Sequence, residues 1–118
     1  MADIAPLLRP AMRVLEIGCA EGSLGAVIRQ SIPVHYTGIE LSGDAALATR
    51  VLDRVVNAPA ATLTGESFDL LLSFHVLEHI EDIATEMRHW RRLLDDNGTL
   101  ILEVPNRAGH RLLDLDPN

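Results

Sequence analysis

The chain has 118 residues, 47% of them hydrophobic, with 10 basic and 17 acidic side chains and a net charge of −7. That length suits one domain with a single sizeable core, and the hydrophobic share excludes a disordered chain. The acidic balance argues against nucleic acid as a partner, the lone Cys19 excludes a disulfide frame, and no apolar run is long enough to span a membrane.

The opening "MADIAPLLRP" carries an acid at Asp3 and no basic stretch ahead of an apolar one, so it does not read as a signal peptide, and a cytoplasmic protein is the default. "RVLEIG" (13–18) is a short apolar run ending in glycine, a buried strand. "SLGAVIRQ" (23–30) predicts a helix with Ser23 as its cap, ended before Pro33. "VHYTGIE" (34–40) is a second strand, and "SGDAALATRVLDR" (42–54) a second helix starting near Ser42 or Asp44. "RVVNA" (54–58) is a short third strand, followed by a loop over 58–67. "FDLLLSF" (68–74) is apolar on both faces, as in a parallel sheet covered by helices. Ile80, Ile83, Met87, Trp90 and Leu94 recur at three- and four-residue steps and form one helical stripe. "DDNG" (95–98) ends that helix, with Gly98 placed for a positive φ, and "TLILEV" (99–104) is a fifth strand stopped by Pro105. The tail from Asn106 to Asn118 shows no clear element.

Strands alternating with helices imply a doubly wound parallel α/β sheet, in which ligands bind beyond the carboxyl ends of the strands. Three features converge there: the loop "GCAEG" (18–22), Glu40 at the end of strand two, and "SFHVLEH" (73–79) after strand four. A dinucleotide fingerprint needs a glycine in the middle of such a loop so that the backbone can approach a pyrophosphate. Here that place is Ala20, and Glu21 puts a negative charge beside it. Both count against NAD and favour a ligand with positive groups and no phosphate.

"VLEIGCAEGSLG" (14–25) resembles the first motif of the class I S-adenosylmethionine-dependent methyltransferases. The resemblance continues in order through "YTGIELS", "FDLLLSFHVLEHIED" and "LLDDNGTLILEVPN", and is nearest to small-molecule enzymes of polysaccharide and quinone pathways that carry "LEH" after strand four. It implies a Rossmann-like fold with strand order 3-2-1-4-5 and S-adenosylmethionine as cofactor. It also implies roles. Glu16 lies near the methionine ammonium, and Gly18, Cys19, Ala20 and Gly22 form the close-approach turn. Glu40 accepts from both ribose hydroxyls, Leu41 packs on adenine, and Ser73, Phe74 and His75 follow the methionine moiety. Where relatives carry an acid that reads the adenine amine, this chain has Asn57, a neutral substitute. Cys19 also reads as a small packed residue.

"HVLEHI" sets His75, Glu78 and His79 at i, i+3 and i+4, near one face if the segment is helical. Three readings stand. His75 or His79 is a general base for a hydroxyl acceptor; the three hold a divalent metal; or Glu78 caps the next helix and His79 holds a backbone carbonyl. Methyl transfer from a sulfonium is an in-line displacement that positioning alone can accelerate, so a strong catalytic residue is not required.

The resemblance implies one domain over 1–118, core 13–106, incomplete at its C-terminus and lacking strands six and seven. The acceptor half is therefore missing, and strand five is expected to be an open apolar edge that supports a homodimer. The expected function is methyl transfer to a small molecule or a glycan- or quinone-type precursor. A cofactor-binding module without activity is the alternative, and an NAD-dependent dehydrogenase fragment a more distant one.

Overall fold

The computed structural model describes residues 4–74, 76–106 and 109–115. Five strands run parallel: β1 (Arg13–Ile17), β2 (His35–Ile39), β3 (Arg54–Val56), β4 (Phe68–Phe74) and β5 (Leu94–Asn106). The helices are α1 (Ser23–Ser31), α2 (Ala45–Ala48) and α3 (Ile83–Leu93). The expected order 3-2-1-4-5 is present and is extended by one strand, β6 (Gly109–Leu115), antiparallel to β5.

Alternation along the strands sends side chains to two cores. Val14, Tyr36, Leu70 and Leu72 pack with Ile28 of α1 and Ala48 of α2 on one face. Leu15, Ile17, Ile39 and Leu71 pack with Trp90 and Leu93 of α3 on the other. β4 has neighbours on both sides and helices over both faces, which is why its run is apolar throughout. The strand edges carry ion pairs instead. Arg13 and Asp69 meet at 3.1 Å across β1 and β4, and Arg54 pairs with both carboxylate oxygens of Glu66.

Several local expectations are corrected. The helix of 42–54 shrinks to Ala45–Ala48, because the chain must turn at once to deliver Asp53, which accepts the Tyr36 N–H at 2.7 Å. Ser23 does not cap α1: Gly22 holds the cap position and Ser23 Oγ donates to Glu21 instead, whereas α2 starts directly after Asp44, as expected. Glu78 does not cap α3; Asp82 does, accepting from the Thr85 N–H at 3.1 Å and the Thr85 hydroxyl at 2.8 Å. On the stripe of α3, Trp90 is fully buried but Ile83 is 46% exposed, and Leu94 already belongs to β5.

"DDNG" is not a turn with a left-handed glycine. The β4–β5 register jumps from Phe68↔Leu94 to Leu70↔Thr99, so this stretch is a bulge within β5. Gly98 lacks the expected positive φ; it is needed because a Cβ there would lie 3.0 Å from the Asp95 carbonyl and 3.1 Å from that of Phe68.

The largest correction is at the tail. β6 pairs with β5 from Leu100↔Leu115 to Asn106↔Gly109, so a sixth strand in chain order is present and the edge of β5 is covered. The expected homodimer through that open edge loses its basis. Pro105 does not stop the strand: among the described residues pairing with β4 reaches Glu103, and Pro105 lies opposite His110 of β6. A missing N–H is tolerated where one side of a strand is free. No described helix is long and apolar enough to cross a membrane.

Gly25 fixes how closely α1 lies on β2, since a Cβ there would sit 2.6 Å from the Tyr36 ring and 2.3 Å from Leu52. Gly25→Ala should destabilise the fold: overpacking costs about 1–3 kcal/mol, against the ~1 kcal/mol that alanine gains over glycine in a helix. A urea midpoint equal to or above the parent's would contradict this contact.

Candidate functional site

At the carboxyl ends of β1, β2 and β4 lies a cavity of about 450 Å³. Its walls come from Ile17 and Gly18, from Ile39, Glu40 and Leu41, and from Pro59 and Ala60 after β3. Phe74, Val76, His79 and Ile80 follow from β4, and Glu86 from α3. The cavity sits where a doubly wound sheet opens a crevice.

The turn after β1 is built by backbone geometry. Gly18 and Gly22 hold φ of 78° and 90°, and Ala20, unusually for a residue with a side chain, holds 51°. At Gly18 a Cβ would also fall 2.5 Å from Val76 on the β4 side, so the glycine lets two loops touch at the cavity floor. The strain at Ala20 is offset by a charged partner: its N–H donates to Glu40 Oε1 at 2.7 Å. Glu40 Oε2 accepts from the Ser42 N–H at 3.0 Å. Burial pushes the Glu40 carboxyl up, but the hydrogen bonds from Ser42, Ala20 and Leu41 outweigh it and hold it below its ordinary range. Glu40 is thus an ionised carboxylate at the cavity rim, with lone pairs left for further donors. Beside it Leu41 is 66% exposed, an apolar face on the cavity lip.

Glu16 behaves oppositely. It is buried at the end of β1, does not line the cavity, and accepts the Tyr36 hydroxyl at 2.7 Å. Burial raises its carboxyl to about 7, with smaller contributions from the charges of Glu40 and Glu21, against the Tyr36 hydrogen bond. Cys19 is buried too, its thiol pushed up to about 12 by burial and by Glu16 and Glu40, so it stays protonated. It packs beneath Gly38, where a Cβ would lie 2.5 Å from its sulfur.

The remaining expected residues divide. Phe74 lines the cavity, whereas Ser73 does not; its buried hydroxyl has no hydrogen-bond partner among the described residues. Asn57 does not line it either. Its amide donates to the Glu40 carbonyl at 2.6 Å and so holds the loop that carries Glu40. His75 lies outside the described residues. Leu77–His79 is one 3-10 turn and not an α-helix, and His79 Nε2 stands 3.5 Å from Glu78 Oε1. Among the described residues no group of three or more His, Cys, Asp or Glu could hold a metal ion. Glu86 was not foreseen. Its signal in the sequence is its place four residues before the only tryptophan, whose Nε1–H donates to it at 2.8 Å.

A family profile described as "Methyltransferase domain" matches residues 1–117. The chain belongs to the class I S-adenosylmethionine-dependent methyltransferases. It is 34% identical over 101 residues to a probable S-adenosylmethionine-dependent methyltransferase of Mycobacterium tuberculosis, covering 82% of this chain and 37% of that protein. It is 33% identical over 116 residues to a ubiquinone biosynthesis O-methyltransferase of Cereibacter sphaeroides, covering 87% of this chain and 45% of that one. The chain thus spans less than half the length of these relatives. Its fold matches that of magnesium protoporphyrin IX methyltransferase from Synechocystis, solved with bound S-adenosylmethionine, at TM-score 0.74 and 22% identity, over 90% of this chain and 55% of that one.

The family's cofactor is S-adenosylmethionine, and the lining offers it an ionised carboxylate, an exposed apolar side chain and a turn whose glycines allow close approach.

The Glu16 carboxyl carries a prediction. Its folded pKa of about 7 lies above its ordinary 4.5, so the neutral form is the one the fold prefers. Its contribution to stability is intact below the unfolded value and is lost as pH rises from 4.5 to 7, by on the order of 3 kcal/mol. Glu16→Gln removes that slope. The variant should match the parent near pH 4 and melt higher at pH 8; equal melting temperatures at pH 8 would show the carboxylate to be accommodated without cost.

Proposed function

We propose that this chain binds S-adenosylmethionine in the cavity beside Gly18 and Glu40 and serves in methyl transfer to a small-molecule acceptor. The observation that carries the reading is the Glu40 carboxylate, held ionised by the Ala20 and Ser42 N–H groups next to the exposed Leu41. Glu40 accepts from the two ribose hydroxyls, Leu41 lies against the adenine, and the Gly18 turn takes the methionyl chain. Glu16 lies behind that turn, and a cationic ammonium near it would favour its ionised form.

The cofactor supplies a methyl group on a sulfonium, which is its own leaving group. The chain's task is to hold the donor in line with an acceptor and to exclude water. The acceptor's lone pair forms the new bond to the methyl carbon as the carbon–sulfur bond breaks and sulfur keeps the electron pair. A hydroxyl acceptor also gives up a proton. In this reading His79, which lines the cavity wall with an exposed side chain, takes that proton; His75 is the second candidate base. An acceptor of the quinone-precursor type is supported by the similarity to the ubiquinone biosynthesis O-methyltransferase.

Calorimetry with S-adenosylhomocysteine, S-adenosylmethionine and NAD tests the reading. The two adenosyl ligands should bind and NAD should not. Glu40→Ala should weaken the adenosyl ligands by about 1.5–3 kcal/mol, roughly ten- to a hundredfold, as for hydrogen bonds to a charged group. Binding of NAD alone, or a variant that binds as well as the parent, would end it.

Transfer is tested separately, with a radiolabelled methyl donor and catechol-type acceptors. His79→Ala should lower turnover and leave adenosyl binding unchanged. Undiminished turnover would remove His79 as the base.

A further inference from the structure

The cavity holds two acids, and the ribose reading uses only one. Glu86 enters its lining from α3. One of its oxygens is committed: Oε2 accepts the indole N–H of Trp90 at 2.8 Å, and Trp90 is fully buried. The other, Oε1, accepts no hydrogen bond among the described residues, and His89 Nδ1 stands 3.9 Å from it, too far for one. A buried ring thus fixes the carboxylate while one oxygen keeps its acceptor capacity.

Its surroundings indicate what that oxygen would meet. α3 packs on the turn Ala60–Thr62, so Glu86 enters the lining beside Pro59 and Ala60. A nucleoside whose ribose lies on Glu40 and whose base lies against Leu41 directs the far edge of that base away from the turn. The methionyl ammonium lies at the opposite end. Of the cofactor's donors, the exocyclic amine of adenine is the one left for this wall. Asn57 donates its NH2 to the Glu40 carbonyl and does not line the cavity, so its amide oxygen is not part of that wall.

We propose that Glu86, oriented by Trp90, is the base-specificity residue of the site and accepts a hydrogen bond from the adenine 6-amino group. This rests on the S-adenosylmethionine reading above. The Trp90 contact makes a sharp test possible. In Glu86→Gln the indole N–H still needs an acceptor and takes the amide oxygen, which turns the amide NH2 to the cavity. An NH2 there opposes a 6-amino group and suits a 6-oxo group.

Calorimetry with S-adenosylhomocysteine and S-inosylhomocysteine, which differ at that position of the base, reads the preference directly. The parent should bind the adenosyl compound at least tenfold tighter. Glu86→Gln should reverse the order, and Glu86→Ala should abolish the discrimination without reversing it. Glu40→Ala should weaken both compounds by the same factor, since both keep the ribose. A parent that binds the two equally, or a Glu86→Gln variant that keeps the parent's preference, overturns the role of Glu86 and leaves the cofactor reading standing. A parent that binds neither compound overturns both.

Discussion

The site depends on one carboxylate bridging two loops that no strand ladder connects. Parallel pairing of β1 and β2 ends at Ile17↔Ile39, beyond which the Gly18 and Cys19 N–H groups still donate to the Ile39 carbonyl. Glu40 joins the two loops by taking the Ala20 N–H on one oxygen and the Ser42 N–H on the other. Asn57 adds a third segment by donating to the Glu40 carbonyl. Ala20 can keep its positive φ because this charge-assisted bond offsets the strain. A carboxylate that already organises the loops faces a ligand without further reorganisation, which is the preorganisation that binding rewards.

Two acids at adjacent strand ends show how environment divides roles. Glu16 and Glu40 have the same side chain, yet burial lifts one toward neutrality while backbone N–H groups keep the other ionised. Glu16 instead joins β1 to β2 through Tyr36, beneath the turn. Gly25 lets α1 approach Tyr36 closely, so the packing below the cavity and the turn above it belong to one unit.

Much of this was legible in the chain. β4 was readable to its ends because two-sided burial demands an uninterrupted apolar run, and the resemblance marked Gly18 and Gly22 as turn glycines, which the structure holds at positive φ. Glu40 was readable as the acid at the end of strand two, but its binding partners were not. Ala20 and Ser42 meet it only after β1 and β2 are aligned. Asn57 was assigned to the ligand by its position, and the fold spends its amide on the Glu40 loop. Local propensity also misjudged α2, where a good helical pattern yields to the demand that Asp53 reach β2.

By itself the sequence determined the alternation of strands and helices, because that rests on hydrophobic periodicity, while the order of the parallel sheet and the family came from the resemblance that its motifs carry. Tertiary structure alone decided three things. β6 has no alternating pattern and exists through its ladder with β5. Gly98 is required by two carbonyls, one of them brought to it by β4. Glu86 reaches the cavity because Trp90, buried in the core beneath it, fixes one of its oxygens. Each depends on which elements the fold sets side by side, and that leaves no periodic mark on the sequence.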